Sequence, residues 1–510
     1  MTSTRAPSPA GRDHSVVRPE LPEIDIEVDL DADAWHELGA RFLDLAVDAS
    51  TSWDARRPAA NAEPDEVVRR LGGDMPERGL DPRLVADRMA ADLLPLSSYN
   101  GHPRWFGYIT AAPSPVGVLG SLVEAALNQN TAMWRLAPGA TTVELQVIEW
   151  VRRIVGLPPG TEGIFSSGGQ MANVIAHLVA RDRKAGWDVR ALGVRGPEGA
   201  PALRLYASDQ SHYCHEAAAE LAGLGRDAIR LVPTDDAYRL RLDSLASMVA
   251  EDRARGFRPI TVVATAGTVR TGAVDPIKGI TRFARDEDLW VHVDGAYGAF
   301  ATLAESSPPE LGAMGEADSV ACDPHKWLYA PIDAAITLVR ERGALERSFA
   351  FHVPYLHAGE DESDRVDILE RSPENTRPFR ALKVWLAMQV YGRDGYGALI
   401  ERDIRLAAYL EALVQSAPGL VLAAPRELSV VCWRAEPKGL AGDVERLNRL
   451  QDAISHELEA RGIAVVSVAP LRGGRNALRA CIVNFRTGVE DVEALVRASR
   501  DLADELAASI

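Results

Sequence analysis

The chain has few cysteines, no long apolar run and no surplus of positive charge. Its four cysteines among 510 residues are far apart and form no CxxC pair. That spacing argues against a disulfide framework and a thiolate metal site, so we expect no metal and a cytoplasmic location. No apolar stretch approaches the roughly 18–20 residues that a membrane-spanning helix needs. The net charge of −17 makes nucleic acid and anionic membranes unexpected partners.

The first hundred residues contain too few apolar positions for an independent domain. Residues 1–20 are rich in Pro, Ser, Arg and Asp and have no apolar core, which is typical of a disordered leader and not of a secretory signal. Residues 29–45 favour an amphipathic helix, since Trp35, Leu38 and Phe42 recur at helical spacing. We expect residues 21–100 to form a helical arm that packs on another lobe or another subunit.

Seven short apolar or β-branched runs follow, and helical patterns separate them. The runs span residues 163–166, 203–207, 229–232, 260–264, 290–293, 319–321 and 334–339. This alternation predicts an α/β fold with a mostly parallel seven-stranded sheet flanked by helices. Past about residue 395 the pattern changes to that of a small α+β lobe. We therefore expect a large domain over residues 101–385 and a small C-terminal domain over residues 386–510.

Two charged side chains follow neighbouring strands of the predicted sheet. Lys326 follows the sixth run in SVACDPHKWLYAP, where a desolvated lysine can act as a Schiff-base nucleophile. A solvated surface lysine is the alternative. Asp294 ends the fifth run in WVHVDGAY, where it can cap the next helix. It can also keep a pyridinium nitrogen protonated, as pyridoxal 5′-phosphate (PLP) requires to act as an electron sink.

Three more strand ends carry groups that suit the same cofactor. The segment GIFSSGGQMAN joins a strand to a helix through Gly168 and Gly169, a phosphate-binding arrangement that is also common in ordinary turns. His212 follows the second run, either as a core residue or as a ring that stacks on a pyridine face. Thr268 places a hydroxyl after the fourth run. Each signal is weak alone, but the ordered set predicts a PLP site at the carboxyl edge of the sheet.

The motifs DPHKW, HVDGAY and SSGGQMAN resemble those of the PLP-dependent group II amino-acid decarboxylases, the family of aromatic-L-amino-acid decarboxylase. The resemblance runs from about residue 100 to the C-terminus. It implies the fold-type I PLP-dependent transferase fold and a homodimer with active sites at the subunit interface. The implied function is decarboxylation of an aromatic L-amino acid to the amine and carbon dioxide. Aldehyde synthesis, lyase chemistry and a non-aromatic substrate are the alternatives.

The resemblance also assigns roles to individual residues. It makes Lys326 the lysine that bonds covalently to PLP, Asp294 the partner of the ring nitrogen, and His212 the stacking and catalytic imidazole. The other implied cofactor contacts are Gly168, Gly169, Gln170, Thr268, Ala296, Asp323 and His325. Asp323 departs from the pattern, because many relatives carry an asparagine there and an ionised carboxylate cannot donate to a phosphate.

The implied substrate pocket is aromatic. It comprises Tyr108, Thr110, Ala111 and Trp134 together with His212. Aromatic side chains suit an aromatic substrate, although core packing also explains some of them. Tyr355 matches the tyrosine that related decarboxylases carry on a mobile lid and use to protonate the substrate carbon, where aldehyde-forming relatives tend to have phenylalanine. The alternative for Tyr355 is a surface aromatic without a chemical role.

Overall fold

The N-terminal helices lie on the outside of the molecule. The computed structural model describes residues 28–351 and 365–510. Its first helices are α1 (Ala32–Thr51), α2 (Pro64–Leu71) and α3 (Pro82–Arg88). Asp31 begins α1 by accepting a hydrogen bond from the Ala34 N–H. Every side chain of α1 remains at least partly exposed, Trp35 by 57%. The predicted helical arm is therefore present, and apolar side chains on its first helix are exposed.

The middle of the chain forms the predicted seven-stranded sheet. Its strands are β1 (Glu162–Ser166), β2 (Leu203–Ser208), β3 (Ile229–Val232), β4 (Arg258–Thr265), β5 (Trp290–Asp294), β6 (Ser319–Cys322) and β7 (Ala335–Val339). They are ordered β1-β7-β6-β5-β4-β2-β3. Strands β2 to β6 pair in parallel, and β7 runs antiparallel between β1 and β6. Because β1 thus runs with the other five, six carboxyl ends lie at one edge.

Helices cover both faces of this sheet. The helices of this part of the chain are α4 (Pro115–Leu127), α5 (Pro138–Val155), α6 (Gly169–Lys184), α7 (Val189–Leu192), α8 (Cys214–Leu221), α9 (Leu242–Ala254), α10 (Ile277–Asp286), α11 (Ala344–Phe349) and α12 (Ala381–Ser416). Val291 and Val293 of β5 belong to the core that includes α5 and α10. Trp290, with the opposite side-chain direction, packs with α6 instead. Since side chains alternate along a strand, the side chain of Asp294 also faces the layer of α6 and α8.

The C-terminal lobe is a four-stranded antiparallel sheet with two helices. Its strands β8 (Leu420–Leu422), β9 (Val430–Ala435), β10 (Ser467–Leu471) and β11 (Arg475–Cys481) are ordered β10-β11-β9-β8, and its helices are α13 (Val444–Ala460) and α14 (Val489–Leu506). The small α+β lobe agrees with the prediction. Helix α12 crosses the predicted domain boundary at residue 386, and the backbone at Gly392 interrupts it with φ 63°. The boundary therefore stays a prediction.

Membrane-spanning helices are not found in the described ranges, since no helix there is both long and apolar enough to cross a bilayer.

Candidate active site

A cavity of about 380 Å³ opens at the edge where the carboxyl ends of the parallel strands meet. It is lined by most of the residues that the sequence singled out. These are Tyr108, Thr110, Gly169, Gln170, His212, Asp294, Ala296, Asp323, His325 and Lys326. The segments that carry them lie up to 218 positions apart in the chain, and the parallel sheet brings them together.

The other predicted residues lie elsewhere. Gly168 precedes the lining residue Gly169 as the N-cap of α6. The Thr268 hydroxyl is used inside its own turn, 3.0 Å from the Thr271 hydroxyl, and it accepts a hydrogen bond from the Ala273 N–H. Ala111 packs against the large core. Neither partner of the Thr268 hydroxyl lines the cavity.

The prediction also named two aromatic residues, Trp134 and Tyr355. Trp134 is not among the lining residues, and the guanidinium of Arg365 lies 4.9 Å from its ring centroid. The Trp134 N–H donates to Asp367 at 2.8 Å. Tyr355 lies outside the described residues, so its role stays a prediction.

Lys326 forms an ion pair with Asp323, the residue that departs from the family pattern. Its Nζ lies 2.9 Å from Oδ2 of Asp323, which is itself 1% exposed. Burial lowers the pKa of Lys326, but the carboxylates of Asp323 and Asp294 outweigh that effect and raise it above its ordinary value. Asp323 therefore holds the lysine as an ammonium ion at the cavity wall.

Asp294 is buried and held by a hydrogen bond at each oxygen. Oδ1 accepts from the Ala296 N–H at 3.1 Å, and Oδ2 lies 3.1 Å from Nε2 of His215. Burial raises the pKa of Asp294, but the His215 hydrogen bond and the charge of Lys326 outweigh it and hold the pKa well below its usual range. The carboxylate is therefore ionised at neutral pH, which is the state that a protonated ring nitrogen needs opposite it.

His212 enters the cavity from the end of β2. Its Nδ1 accepts a hydrogen bond from the Cys214 N–H at 3.2 Å, which fixes the ring near the start of α8. Burial lowers the pKa of His212 below its ordinary value. The imidazole is therefore neutral at pH 7 and presents a flat apolar face as well as a ring N–H.

The N-terminus of α6 has the geometry of an anion site. The first N–H groups of a helix lack intrahelical partners, and Ala172 is the first residue here whose N–H bonds back, to Gly168 O at 2.9 Å. A Cβ on Gly169 would lie 2.6 Å from Oδ2 of Asp323 and 3.2 Å from Cβ of Ala296. Only glycine allows this close approach, which leaves backbone N–H groups and the positive helix end available for a phosphate.

The residues present fit PLP. The cavity offers a lysine for an aldehyde, an ionised carboxylate for a ring nitrogen, an imidazole for a ring face and a helix start for a phosphate. Its volume lies in the range of small-molecule sites. In addition, Oγ1 of Thr265 is buried in the cavity wall and has no hydrogen-bond partner among the described residues. An unpartnered hydroxyl of this kind is a natural contact for a bound ligand.

Sequence reasoning missed Thr265 and chose Thr268 instead. Thr265 is the last residue of β4 and pairs with Asp294, the last residue of β5. The strand-end rule that identified Asp294 would have identified Thr265 as well, had the strand been extended by one residue. Asn173, Cys214 and Tyr297 also line the cavity, and no local pattern marks them.

The segment after Lys326 is anchored to α12 by one buried carboxyl group. Oδ2 of Asp403 accepts hydrogen bonds from Trp327 Nε1 at 3.1 Å and from the Tyr329 hydroxyl at 2.7 Å. Burial raises the pKa of Asp403 to about 7. The segment after Lys326 is therefore hydrogen-bonded to a carboxyl group that is half protonated near neutral pH.

Asp403→Asn should change how stability depends on pH. The unfolded carboxyl has a pKa of about 3.9. Between that value and about 7, the folded chain holds a proton that the unfolded chain has lost, so this group's contribution to the unfolding free energy declines as pH rises. The amide can accept both hydrogen bonds and does not titrate. The unfolding free energy of Asp403→Asn relative to the parent should therefore rise by about 1.4 kcal/mol per pH unit.

Denaturant unfolding of parent and variant between about pH 4.5 and pH 6.5 measures this difference. Asp74→Asn, at an exposed position, is the control for loss of a carboxylate without loss of a buried contact. A pH-independent difference for Asp403→Asn would contradict the buried, protonated state.

Comparison with known proteins identifies the family that the sequence motifs resemble. The family described as "Pyridoxal-dependent decarboxylase conserved domain" matches residues 64–436. An aromatic-L-amino-acid decarboxylase of Bacillus atrophaeus is 30% identical over 481 residues, covering 94% of this chain and 98% of that protein. A phenylacetaldehyde synthase of Petunia hybrida is 27% identical, covering 79% of this chain and 80% of that protein.

Among solved structures, the tryptophan decarboxylase of Catharanthus roseus in complex with L-tryptophan superimposes with a TM-score of 0.84. It is 26% identical, and the match covers 94% of this chain and 99% of that chain. The likeness thus extends over the arm, the large sheet and the C-terminal lobe together.

Proposed function

The chain belongs to the family of pyridoxal-dependent decarboxylases, and from this membership we propose that it converts an aromatic L-amino acid to its amine and carbon dioxide. It is a PLP-dependent carboxy-lyase. The observation that carries the proposal is the meeting of Lys326, Asp294, His212 and the start of α6 in one cavity.

Each of these groups has a distinct task at the site. When bound, PLP supplies an electron sink for the electron pair that remains when carbon dioxide departs. Nζ of Lys326 would hold the cofactor's aldehyde carbon, and Asp294 would keep the ring nitrogen protonated. The N–H groups at Gly169 and Gln170 would bind the phosphate, and His212 would lie against the ring and orient the substrate.

The substrate class rests on the rim of the cavity. Tyr108 lies there and is held by the C-terminal lobe, since its N–H donates to the Ser467 hydroxyl at 2.9 Å and its carbonyl accepts from Arg479 at 2.8 Å. The ring of Trp105 stacks on it with centroids 6.5 Å apart. Nε1 of Trp105 donates to the Thr110 hydroxyl at 2.9 Å. This fixed aromatic rim favours a flat apolar side chain over an acidic one.

A panel of L-amino acids tests the substrate class. The PLP-loaded protein is assayed for carbon dioxide release with phenylalanine, tyrosine, tryptophan, glutamate and 2,4-diaminobutyrate. We expect one of the three aromatic amino acids to have the highest kcat/KM, by about 100-fold or more over glutamate, because a pocket built for one class leaves polar groups of another unpaired. A preference for an acidic or basic amino acid would overturn the aromatic assignment and leave the decarboxylase assignment intact.

Tyr355 is our proposal for the proton donor to the substrate carbon after carbon dioxide leaves. The proposal rests on the sequence alone, and the phenylacetaldehyde synthase among the relatives makes it worth testing. Tyr355→Phe keeps the ring and removes only the proton, so the variant should lose amine formation and gain aldehyde, ammonia and peroxide in air. Product analysis measures both outcomes. Amine at the parental rate without aldehyde would remove Tyr355 from the mechanism.

We further propose a homodimer with active sites at the subunit interface, in a reducing compartment such as the cytoplasm. Helix α4 supports the dimer because it exposes a row of large apolar side chains, Leu119 by 50%, Leu122 by 59% and Leu127 by 51%. Such an apolar surface is typical of interfaces.

All four cysteines are buried and unpaired, which suits a reducing compartment.

Sedimentation tests the dimer. The parent should have about twice the chain mass of 55.2 kDa, whereas Leu122→Asp should shift the equilibrium toward monomer, because a charge on an apolar interface is left unpaired. Leu192→Asp, at a residue that is 55% exposed on α7, is the control and should stay dimeric. An active monomeric parent would refute the dimer.

A further inference from the structure

Two buried histidines that do not line the cavity form a chain of contacts to Asp294. His177 of α6 and His215 of α8 are both fully buried, and their facing nitrogens are 3.0 Å apart. The other nitrogen of His215 lies 3.1 Å from Oδ2 of Asp294. We propose that this His177–His215 pair is a positioning relay that orients the Asp294 carboxylate toward the PLP ring nitrogen. The inference rests on the proposed role of Asp294.

The hydrogen positions in the relay follow from its contacts. An ionised carboxylate can only accept, so Nε2 of His215 must carry the hydrogen in the contact with Asp294. When Nδ1 of His215 is the lone pair, Nε2 of His177 donates to it, and one hydrogen on each ring satisfies both contacts. The atom left over, Nδ1 of His177, has no partner among the described residues. In this arrangement Nδ1 carries a lone pair. Burial of an unpartnered lone pair costs less free energy than burial of an unsatisfied N–H.

The surroundings favour this arrangement. Burial, followed by the neighbouring imidazoles of His215 and His292, lowers the pKa of His177 far below its ordinary value, so that ring carries a single hydrogen. A neutral His177 can donate through Nε2 only in the tautomer that leaves Nδ1 bare. The unpartnered Nδ1 of His177 is therefore consistent with a chain of hydrogen bonds in which Nε2 is the donor.

The relay constrains the carboxylate without using all of its acceptor sites. Asp294 receives one hydrogen bond at Oδ2 from His215 and one at Oδ1 from the Ala296 N–H, 3.1 Å away. Two donors on two oxygens fix the rotation of the carboxylate, while a carboxylate has about four lone-pair sites. Capacity therefore remains for a ring N–H on the cavity side, and a donor behind it disfavours transfer of the ring proton to Asp294.

Metal binding is the competing role for these side chains. Cys214, His215 and Asp294 each place one ligand atom within 4.8 Å of the others. Both nitrogens of His215 are already engaged in hydrogen bonds. Burial also raises the pKa of the Cys214 thiol, so it stays protonated and is a poor ligand. The hydrogen-bond relay accounts for these contacts without an ion.

A third histidine of the same cluster provides a matched control. His292 is fully buried, and its ring centroid lies 6.2 Å from that of His215. Its nitrogens contact the Asn173 side-chain oxygen at 2.6 Å and the Ser319 hydroxyl at 2.9 Å, not Asp294. Substitution of His292 therefore disturbs the same packing layer and leaves the donor to Asp294 in place.

The test measures cofactor affinity instead of activity. Apoprotein is titrated with PLP and with an analogue in which carbon replaces the ring nitrogen, and the ratio of the two dissociation constants isolates the ring-nitrogen interaction. His215→Leu should weaken PLP binding relative to the analogue by about 10-fold or more, since a hydrogen bond to a charged group is lost. His215→Gln, which can place a donor near the position of Nε2, should keep the parental ratio within about threefold.

The outcomes separate this inference from the proposal on which it rests. His292→Leu should weaken the binding of PLP and of the analogue alike and leave the ratio of their dissociation constants unchanged. If Asp294→Asn also leaves the ratio unchanged, the assignment of Asp294 itself fails. If Asp294→Asn weakens PLP binding relative to the analogue and His215→Leu does not, the relay alone is overturned. Should the leucine variant not fold, His215→Phe, which keeps a ring without a donor, replaces it with the same expected loss.

Discussion

Lys326→Ala should abolish turnover and the covalent cofactor adduct that borohydride traps in the parent. Lys326 is the lysine that lines the cavity, and its Nζ lies 2.9 Å from Asp323, within the set of groups that fit the cofactor. Alanine provides no nitrogen to bond to the aldehyde, so no trapped adduct can form. Removal of the group that forms a covalent bond costs most of the catalytic rate. Mass spectrometry of the reduced protein and a carbon dioxide assay measure both effects.

Lys383→Ala is the matched control for this experiment. Lys383 is buried, but it lies on α12 and faces Glu124 of α4 at 3.5 Å. Its loss should lower stability and leave the trapped adduct on Lys326. An adduct of undiminished yield in Lys326→Ala would show that another lysine carries the cofactor, and the proposed site would be wrong.

Asp294→Asn should leave PLP bound and reduce the rate by about 10²–10³, because a neutral amide no longer stabilises the protonated ring nitrogen. The covalent bond at Lys326 and the phosphate contacts at α6 remain, so binding persists. The measurement is kcat at saturating cofactor, together with the bound PLP per chain.

Asp252→Asn controls for the loss of a buried charge. Asp252 is also fully buried, but it accepts hydrogen bonds from Tyr206 and Arg230 away from the cavity. Its substitution should reduce stability and keep the rate per bound cofactor. A near-parental rate in Asp294→Asn would mean that Asp294 only caps the backbone at Ala296.

The sheet and its carboxyl edge could be predicted because they depend on local patterns. Strands β4 and β5 appear as short apolar runs, and the parallel direction follows from the helices between them. The direction alone places Asp294 and Lys326 at the same edge. For this reason ten of the predicted site residues line one cavity.

The His177–His215 relay and the hydrogen bonds of Asp403 could not be predicted, because they depend on side-chain direction across distant elements. His177 and His215 are 38 positions apart, and His215 and Asp294 are 79 apart. Their contact requires the rotation of α6 and α8 about their axes, which tertiary packing sets. Asp403 presents a similar case, since it lies 76 positions from the Trp327 that it binds.

Product balance of the PLP-loaded parent protein tests the decarboxylase assignment most directly. With its preferred aromatic amino acid in air, the protein should release carbon dioxide and amine in equal amounts, without aldehyde, ammonia or peroxide. Equal amounts of carbon dioxide, aldehyde, ammonia and peroxide would instead identify an aldehyde synthase and contradict the account.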